Sequence, residues 1–285
     1  MKSIGLVGLG LLGTALAERL ISRGWSVSGF DVDSERCVAL SNSGGVVLAD
    51  LADVVAFDVI VLSLPTSQVV AEVVSSIKSE LRAGQTIVDT TTGNPADVES
   101  VAEVLARLDV DYLDATVGGS SQQARDGDAI IMCGGADSAF TRCRPLFDAL
   151  ATKTFHVGAS GSGSRMKLAV NLVLGLNRAV LAEGLAFAES LGLDPEATLE
   201  ILKASPAAST VMGTKGEKML QREFSPQARL AQHLKDVKLI LDTGHEFGAC
   251  LPMSGAHRNL LETLVDSGFG DLDNSAIIEA FRSSK

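Results

Sequence analysis

Two polar residues in an otherwise apolar segment are the first candidates for chemistry. Lys167 and Asn171 are four residues apart in a helical pattern over 165–191, so they share one face of that predicted helix. A lysine shielded from water can donate or accept a proton near neutrality, because burial lowers the pKa of an amine. An asparagine can bridge that amine and a substrate hydroxyl. A lysine taken alone is more often a surface residue than a catalytic one. Whether Lys167 is catalytic therefore depends on the elements that surround it.

The first half of the chain alternates short apolar runs with amphipathic runs. This alternation is typical of a parallel sheet with helices packed on both faces. Strands are predicted at residues 3–8, 25–30, 58–64, 86–89, 112–115, 129–133 and 154–157, and helices at 12–23, 69–81 and 95–108.

The second half has almost no strand pattern. It follows a Gly/Ser-rich stretch at 158–164, and helices are predicted at 165–191, from 195, at 226–247 and at 255–267. We therefore predict a Rossmann-type doubly wound α/β sheet in residues 1–161. An all-helical domain is predicted in residues 162–285, joined to the first by a long interdomain helix.

A glycine-rich run lies directly after the first predicted strand and opens the first helix. The run is Gly8, Leu9, Gly10, Leu11, Leu12 and Gly13, which has the pattern G-x-G-x-x-G. One glycine makes the tight turn, one lets the backbone approach a diphosphate, and one lets the helix and strand pack closely. The helix N-terminus then faces the diphosphate. These six residues are therefore predicted to bind a dinucleotide.

Asp31 ends the second predicted strand, about 20 residues after the glycine run. A carboxylate there can accept hydrogen bonds from the adenosine ribose and would repel a 2′-phosphate. The nearest arginine is Arg36, so NAD is predicted in preference to NADP. The strand ends at 63–65 and 90–92 could also reach the cofactor, because ligands bind beyond the carboxyl ends of parallel strands.

The charge of the chain excludes several classes of partner. Its 285 residues include 24 Lys and Arg against 35 Asp and Glu, a net charge of −11. Nucleic acid and anionic membrane surfaces need clustered cations, and no such cluster occurs. The four scattered cysteines favour free thiols, so a cytoplasmic protein is predicted. No apolar stretch of 18 residues lacks polar breaks, so no membrane span is predicted. The four histidines lack metal-ligand spacing, so no metal is predicted. Lys215 belongs to a charged segment and is expected on a solvated face.

Three features together resemble the β-hydroxyacid dehydrogenase family. They are the opening glycine motif, the run G-x-G-x-x-x-K-x-x-x-N from Gly161 to Asn171, and the pair Lys235-Asp236. The family includes 3-hydroxyisobutyrate dehydrogenase and tartronate semialdehyde reductase. The resemblance implies reversible hydride transfer between NAD and a small anionic 3-hydroxy acid or its semialdehyde. The helical domains of the family pair, so a homodimer or homotetramer is expected.

The resemblance also implies roles for particular residues. Lys167 is expected to be the general acid/base, and Asn171 to orient the substrate. Contact with the cofactor is expected from Leu64, Pro65, Thr92 and Lys235. Substrate binding is expected from Val117, Gly118, Gly119, Ser120, Lys167 and Asn171.

The substrate loop departs from the family pattern D-A-P-V-S-G-G. Gly118 stands at the usual serine and Ser120 at the usual last glycine, which removes one hydroxyl. The loop is partly similar to that of sulfolactaldehyde reductases, so a sulfonate or another anionic aldehyde is an alternative substrate.

Three further interpretations fit less well. Decarboxylating 6-phosphogluconate dehydrogenases have a histidine where this chain has Val170 and a longer second domain. Imine reductases and catalytically silent dinucleotide-binding modules usually lack the lysine that Lys167 retains.

Overall fold

The apolar runs of the first half form one eight-stranded sheet in the computed structural model, which describes residues 2–282. The strands are β1 Ser3–Val7, β2 Ser26–Phe30, β3 Val46–Val47, β4 Val59–Leu62, β5 Thr86–Asp89, β6 Asp111–Gly118, β7 Ile130–Gly134 and β8 Lys153–Gly158. Their spatial order is β3-β2-β1-β4-β5-β6-β7-β8. The predicted Rossmann-type sheet is confirmed, and the two-residue strand β3 is too short to leave a sequence pattern.

The direction of the last two strands differs from the expectation of a wholly parallel sheet. Strands β1 to β6 pair in parallel, β7 pairs antiparallel with β6, and β8 is parallel to β7. The connection from β6 to β7 contains only the short helix Ser121–Asp126. A parallel crossover needs roughly a dozen residues or more, usually with a full helix, so this short connection reverses the chain instead.

Helices cover both faces of the sheet. They are α1 Leu11–Ser22, α2 Ser34–Asn42, α3 Ser67–Ile77, α4 Pro95–Ala106, α5 Ser121–Asp126 and α6 Asp137–Leu150, with a 3-10 turn at Leu51–Ala56. One buried cluster joins Ile4 and Leu6 of β1 to Leu16 of α1. A second cluster joins Ile60 of β4 to Ile77 of α3. Strands buried on both faces read as continuous apolar runs, which is why the sequence revealed them.

The rest of the described chain is helical. Its helices are α7 Ser162–Ser190, α8 Pro195–Ala204, α9 Thr210–Gln221, α10 Leu230–Glu246 and α11 Pro252–Leu264, followed by a π turn at Val265–Phe269 and a 3-10 turn at Asn274–Ala280. Helix α10 begins four residues later than predicted. The backbone N–H groups of Gln227 and Ala228 donate to Asp273, at 3.0 and 3.1 Å, instead of joining a helix.

The chain divides into two compact units, Met1–Lys167 and Leu168–Lys285, and the division falls inside α7. By length and composition, α7 is also apolar enough to cross a membrane, with a mean hydropathy of 1.4 in its most apolar window. In the structure 44% of that window is buried, and core helices of water-soluble proteins pass the same test.

Candidate active site

The glycine run forms the turn between β1 and α1. Gly8 has a φ of 93°, and a Cβ there would lie 2.2 Å from the carbonyl oxygen of Ser63. A Cβ at Gly13 would lie 1.9 Å from the carbonyl oxygen of Gly8. Gly10 faces open space, where an added Cβ would meet only Arg36 at 3.9 Å. The loop is half-exposed at Gly10, at a helix N-terminus, which fits the diphosphate of a dinucleotide.

The structure brings Asp31 to this loop. Its Oδ2 accepts a hydrogen bond from the N–H of Leu9 at 2.6 Å, and its Oδ1 accepts from the N–H of Asp33 at 2.9 Å. The Nη1 of Arg36 lies 3.5 Å from Oδ2 of Asp31, and its Nε lies 3.2 Å from Oδ2 of Asp33. The nearest guanidinium is thus held between two carboxylates beside the glycine loop.

A buried acid that the sequence analysis missed supports the ends of β4 and β5. Asp89 accepts hydrogen bonds from the hydroxyl of Tyr112 at 2.6 Å and from the N–H of Thr91 at 2.9 Å. The Oγ1 of Thr91 accepts in turn from the N–H of Leu64 at 3.1 Å. Burial raises the pKa of Asp89 to about 6, against the lowering effect of these hydrogen bonds. This network fixes the backbone at Leu64, which the sequence predicted as a cofactor contact.

The three threonines after β5, at positions 90–92, do not form a solvated turn. Thr90 and Thr91 are buried, and only the predicted cofactor residue Thr92 is half-exposed. Thr90 donates its hydroxyl hydrogen to the carbonyl oxygen of Leu62 at 2.8 Å.

The first turn of α7 is fixed to β6 by Asp114. Its two carboxylate oxygens accept from the N–H of Gly161 at 3.0 Å and of Ser164 at 2.8 Å. Thr116 donates to the carbonyl oxygen of Gly163 at 3.1 Å. A Cβ at Gly163 would lie 2.1 Å from the carbonyl oxygen of Asp114, so glycine permits this close contact. Burial raises the pKa of Asp114, and the two backbone donors oppose that effect.

This anchor determines where Lys167 lies. One turn after Ser164, the Nζ of Lys167 donates to the carbonyl oxygen of Val117 at 2.7 Å. The ammonium group is therefore beside the end of β6, where the predicted substrate loop begins. Sequence spacing could not reveal this contact, because the two residues are 50 positions apart.

The loop after β6 contains the other predicted substrate residues. Gly119 has a φ of 154°, and a Cβ at Gly118 would lie 2.8 Å from Ile130 Cγ1. Ser120 caps α5, and its Oγ accepts from the N–H of Gln123 at 3.2 Å. The Ser120 hydroxyl retains its hydrogen for donation.

Asn171 and Lys235 lie in the helical unit. The Nδ2 of Asn171 is 3.4 Å from Oδ2 of Asp236, the residue after Lys235 on α10. This contact directs the amide nitrogen of Asn171 to Asp236 and leaves its Oδ1 as an acceptor for other donors. Asn171 is 9% exposed.

Two family models cover almost the whole chain. One, described as the NAD binding domain of 6-phosphogluconate dehydrogenase, matches residues 3–158. The other, described as NAD-binding of NADP-dependent 3-hydroxyisobutyrate dehydrogenase, matches residues 161–281.

Individual relatives agree with the family models. The chain is 32% identical to 2-hydroxy-3-oxopropionate reductase of Escherichia coli K12, over 97% of this chain and 96% of that one. It is also 32% identical to 2-(hydroxymethyl)glutarate dehydrogenase of Eubacterium barkeri, over 98% and 94%. The solved structure of Mycobacterium tuberculosis 3-hydroxyisobutyrate dehydrogenase with L-serine superposes with a TM-score of 0.91 at 26% identity, covering 99% and 100%. The chain belongs to the β-hydroxyacid dehydrogenase family of NAD(P)-dependent oxidoreductases.

The buried acid at the end of β5 gives a testable pH dependence. The pKa of Asp89 is about 6 in the folded protein against 3.8 in the free group, so the native state binds a proton that the unfolded chain lacks between these values. The contribution of Asp89 to the free energy of unfolding is complete below pH 3.8 and is lost as the pH rises through about 6. Relative to Asp89→Asn, the free energy of unfolding of the wild type should rise by up to about 3 kcal/mol on acidification.

Urea unfolding between about pH 8 and pH 4 measures this difference. Asp58→Asn is the matched control, because the Asp58 side chain is almost fully exposed. A wild-type minus Asp89→Asn difference that stays constant with pH would contradict the assignment.

Proposed function

We propose that the protein transfers hydride between NAD and a small 3-hydroxy acid or its semialdehyde, with Lys167 as the general acid/base. The observation that supports this most strongly is the hydrogen bond from Lys167 to the carbonyl oxygen of Val117. It holds an amine beside the start of the loop 117–120, at the end of strand β6. Ligands of such sheets bind beyond the carboxyl ends of the strands.

A nicotinamide cofactor bound by the glycine run would accept the hydride in oxidation and supply it in reduction. In oxidation, the neutral amine of Lys167 takes the proton of the substrate hydroxyl while the carbon loses hydride. In reduction, the ammonium returns that proton to the carbonyl oxygen. Asn171 is proposed to orient the substrate through its Oδ1, which accepts from a group other than the reacting hydroxyl, while its Nδ2 is directed to Asp236. Val117, Gly118, Gly119 and Ser120 hold the substrate.

The cofactor is proposed to lie against the glycine run 8–13 and the strand ends at Leu64, Pro65 and Thr92, with Lys235 near the nicotinamide. NAD is proposed as the preferred form. Asp31 is beside the glycine loop, and Arg36 is engaged by two carboxylates, so neither favours a 2′-phosphate. One family model is named for an NADP-dependent enzyme, so both cofactors need to be measured.

The substrate class rests on the relatives, whose names describe hydroxy acids and their carbonyl forms. These relatives give no support to the sulfonate alternative. The loop gives one physical limit: a side chain at Gly118 would contact Ile130, so position 118 offers only its backbone to an anionic group. The hydroxyl of Ser120 is proposed as a further donor.

We also propose that copies of this chain associate through α7. Exposed apolar side chains recur there at intervals of seven, at Val173, Val180 and Phe187, with 56%, 58% and 63% of each exposed. A homodimer or homotetramer would cover this stripe, and light scattering of the full chain measures the number of copies. The four cysteines form no disulfide, which suits a reducing compartment such as the cytoplasm.

Replacing the lysine tests the proposed chemistry. Lys167→Ala should lower kcat by at least about 100-fold, because it removes the proposed proton acceptor, and should leave NAD binding nearly unchanged. Turnover is measured with NAD and NADP on 3-hydroxyisobutyrate, glycerate, 3-hydroxypropionate, threonate and a sulfonate analogue, with the matching semialdehydes.

Lys153→Ala is the control, since Lys153 begins β8 and is exposed. Wild-type rates in Lys167→Ala would refute the role of the lysine. Cofactor binding without turnover on any substrate would support the silent-module alternative.

The acid after β2 is tested through cofactor preference. Asp31→Ala should lower the ratio of kcat/KM with NAD to kcat/KM with NADP by about 10-fold or more, because a ribose hydrogen-bond acceptor and a repulsive charge are both removed. Asp33→Ala is the control, because it also removes a carboxylate from Arg36 but not the proposed ribose contact. The cofactor ratio should change less in Asp33→Ala than in Asp31→Ala. An unchanged ratio in Asp31→Ala would contradict the ribose contact.

A further inference from the structure

The core of the helical unit contains an arginine that the proposed hydride chemistry does not use. Arg178 lies on α7 and is 5% exposed. Its Nε and Nη1 are buried and have no hydrogen-bond partner among residues 2–282. Burial lowers the pKa of Arg178 to about 10, so the guanidinium remains charged at neutral pH. An unpaired buried charge is costly, and proteins normally pair such a charge or bind an ion to it.

The acid that attracts Arg178, Asp273, cannot supply that pairing. Asp273 attracts Arg178 at a distance but accepts two hydrogen bonds from Lys215, at 2.8 and 2.9 Å. It also accepts from the N–H groups of Gln227 and Ala228 and from the N–H and hydroxyl of Ser275. A carboxylate has about four lone-pair sites, so its acceptor capacity is used. Lys215 and Asp273 neutralise each other, and the charge of Arg178 remains.

Two imidazoles adjoin the same part of α7. The rings of His233 on α10 and His257 on α11 are 5.1 Å apart. Both lie against Gly175, three residues before Arg178, where an added Cβ would be 2.9 Å from His233 Nε2 and 3.1 Å from His257 Cε1. The Nε2 atoms of both rings are buried without a partner in the described part of the chain.

The imidazoles can donate hydrogen bonds without adding charge. Burial and the neighbouring Arg178 lower the pKa of His257 to about 4, and the pKa of His233 lies well below its usual value for the same reasons. Both rings are therefore neutral near pH 7, and a neutral imidazole with its hydrogen on Nε2 is a donor.

We propose that Arg178, His233 and His257 form a binding site for a small monovalent anion of halide size. The guanidinium supplies the charge and two donors, and each imidazole supplies one donor. A water molecule could pair a donor, but only an anion also neutralises the buried charge. The donors expose almost no surface, which favours a single-atom ion over phosphate or sulfate.

The position of this site links it to residues predicted to act on substrate. Arg178 is two turns after Asn171 on α7, and His233 is three residues before Asp236 on α10. An ion held by α7, α10 and α11 would therefore brace the pair formed by Asn171 and Asp236.

The thermal unfolding midpoint of the full chain tests the proposal. At equal ionic strength, sodium chloride or bromide should raise the midpoint by about 2–4 °C relative to sodium gluconate, whose anion is too large. The rise should disappear in Arg178→Met and persist in Arg258→Met, which removes an exposed arginine from the same helix as His257. The halide effect is measured within each variant, so a change in baseline stability does not affect it.

A second measurement needs no variant. Crystals of the wild type grown in bromide should show an anomalous peak within hydrogen-bond distance of Arg178 Nε. The proposal is overturned by the absence of that peak, or by equal halide effects in the wild type and Arg178→Met. It is also overturned if halide has no effect and Arg178→Met changes the oligomeric state, because a carboxylate of a second copy would then pair the arginine.

Discussion

The attachment of the first turn of α7 to β6 is the constraint on which the candidate chemistry depends. Asp114 accepts two backbone hydrogen bonds there, from Gly161 and Ser164. The N-terminus of a helix carries partial positive charge, so a carboxylate in this position is favourable even though it is buried. With that turn fixed, Lys167 follows one turn later, and its Nζ reaches the carbonyl oxygen of Val117. A shift of the turn by one residue would point the lysine away from the loop.

Much of the fold could be predicted because its signals are local. Continuous apolar runs revealed the buried strands, and the spacing of Gly8, Gly13 and Asp31 identified the dinucleotide end. The network around Asp89 and Tyr112 could not be predicted, because it joins side chains of different strands. The reversal of β7 depends on the length of its short connection to β6, which apolar patterning alone does not reveal.

The burial of charged residues could not be predicted from the sequence. Lys215 was expected on a solvated face, but it is buried and bonds to Asp273. Its neighbours in sequence gave no indication of this, because its partner is 58 residues away. The departures at Gly118 and Ser120 were visible in the sequence, yet their effect depends on Ile130 and Gln123, which only the fold brings near.

Two buried cations of the helical unit, Lys215 and Arg178, differ in whether a carboxylate pairs with them. Lys215 is fully compensated by Asp273, whereas Arg178 has no such partner among residues 2–282. A compensated pair of this kind can fix how helices pack, and the uncompensated charge of Arg178 is the basis of the proposed anion site.

In the proposed mechanism, the amine of Lys167 carries the proton during turnover. Rescue of Lys167→Ala by small alkylamines tests it most directly, using a substrate on which the wild type is active. If so, ethylamine or propylamine should restore turnover in proportion to its concentration, with a rate that varies with the pKa of the amine. Turnover that no amine restores, or that needs none, would contradict it.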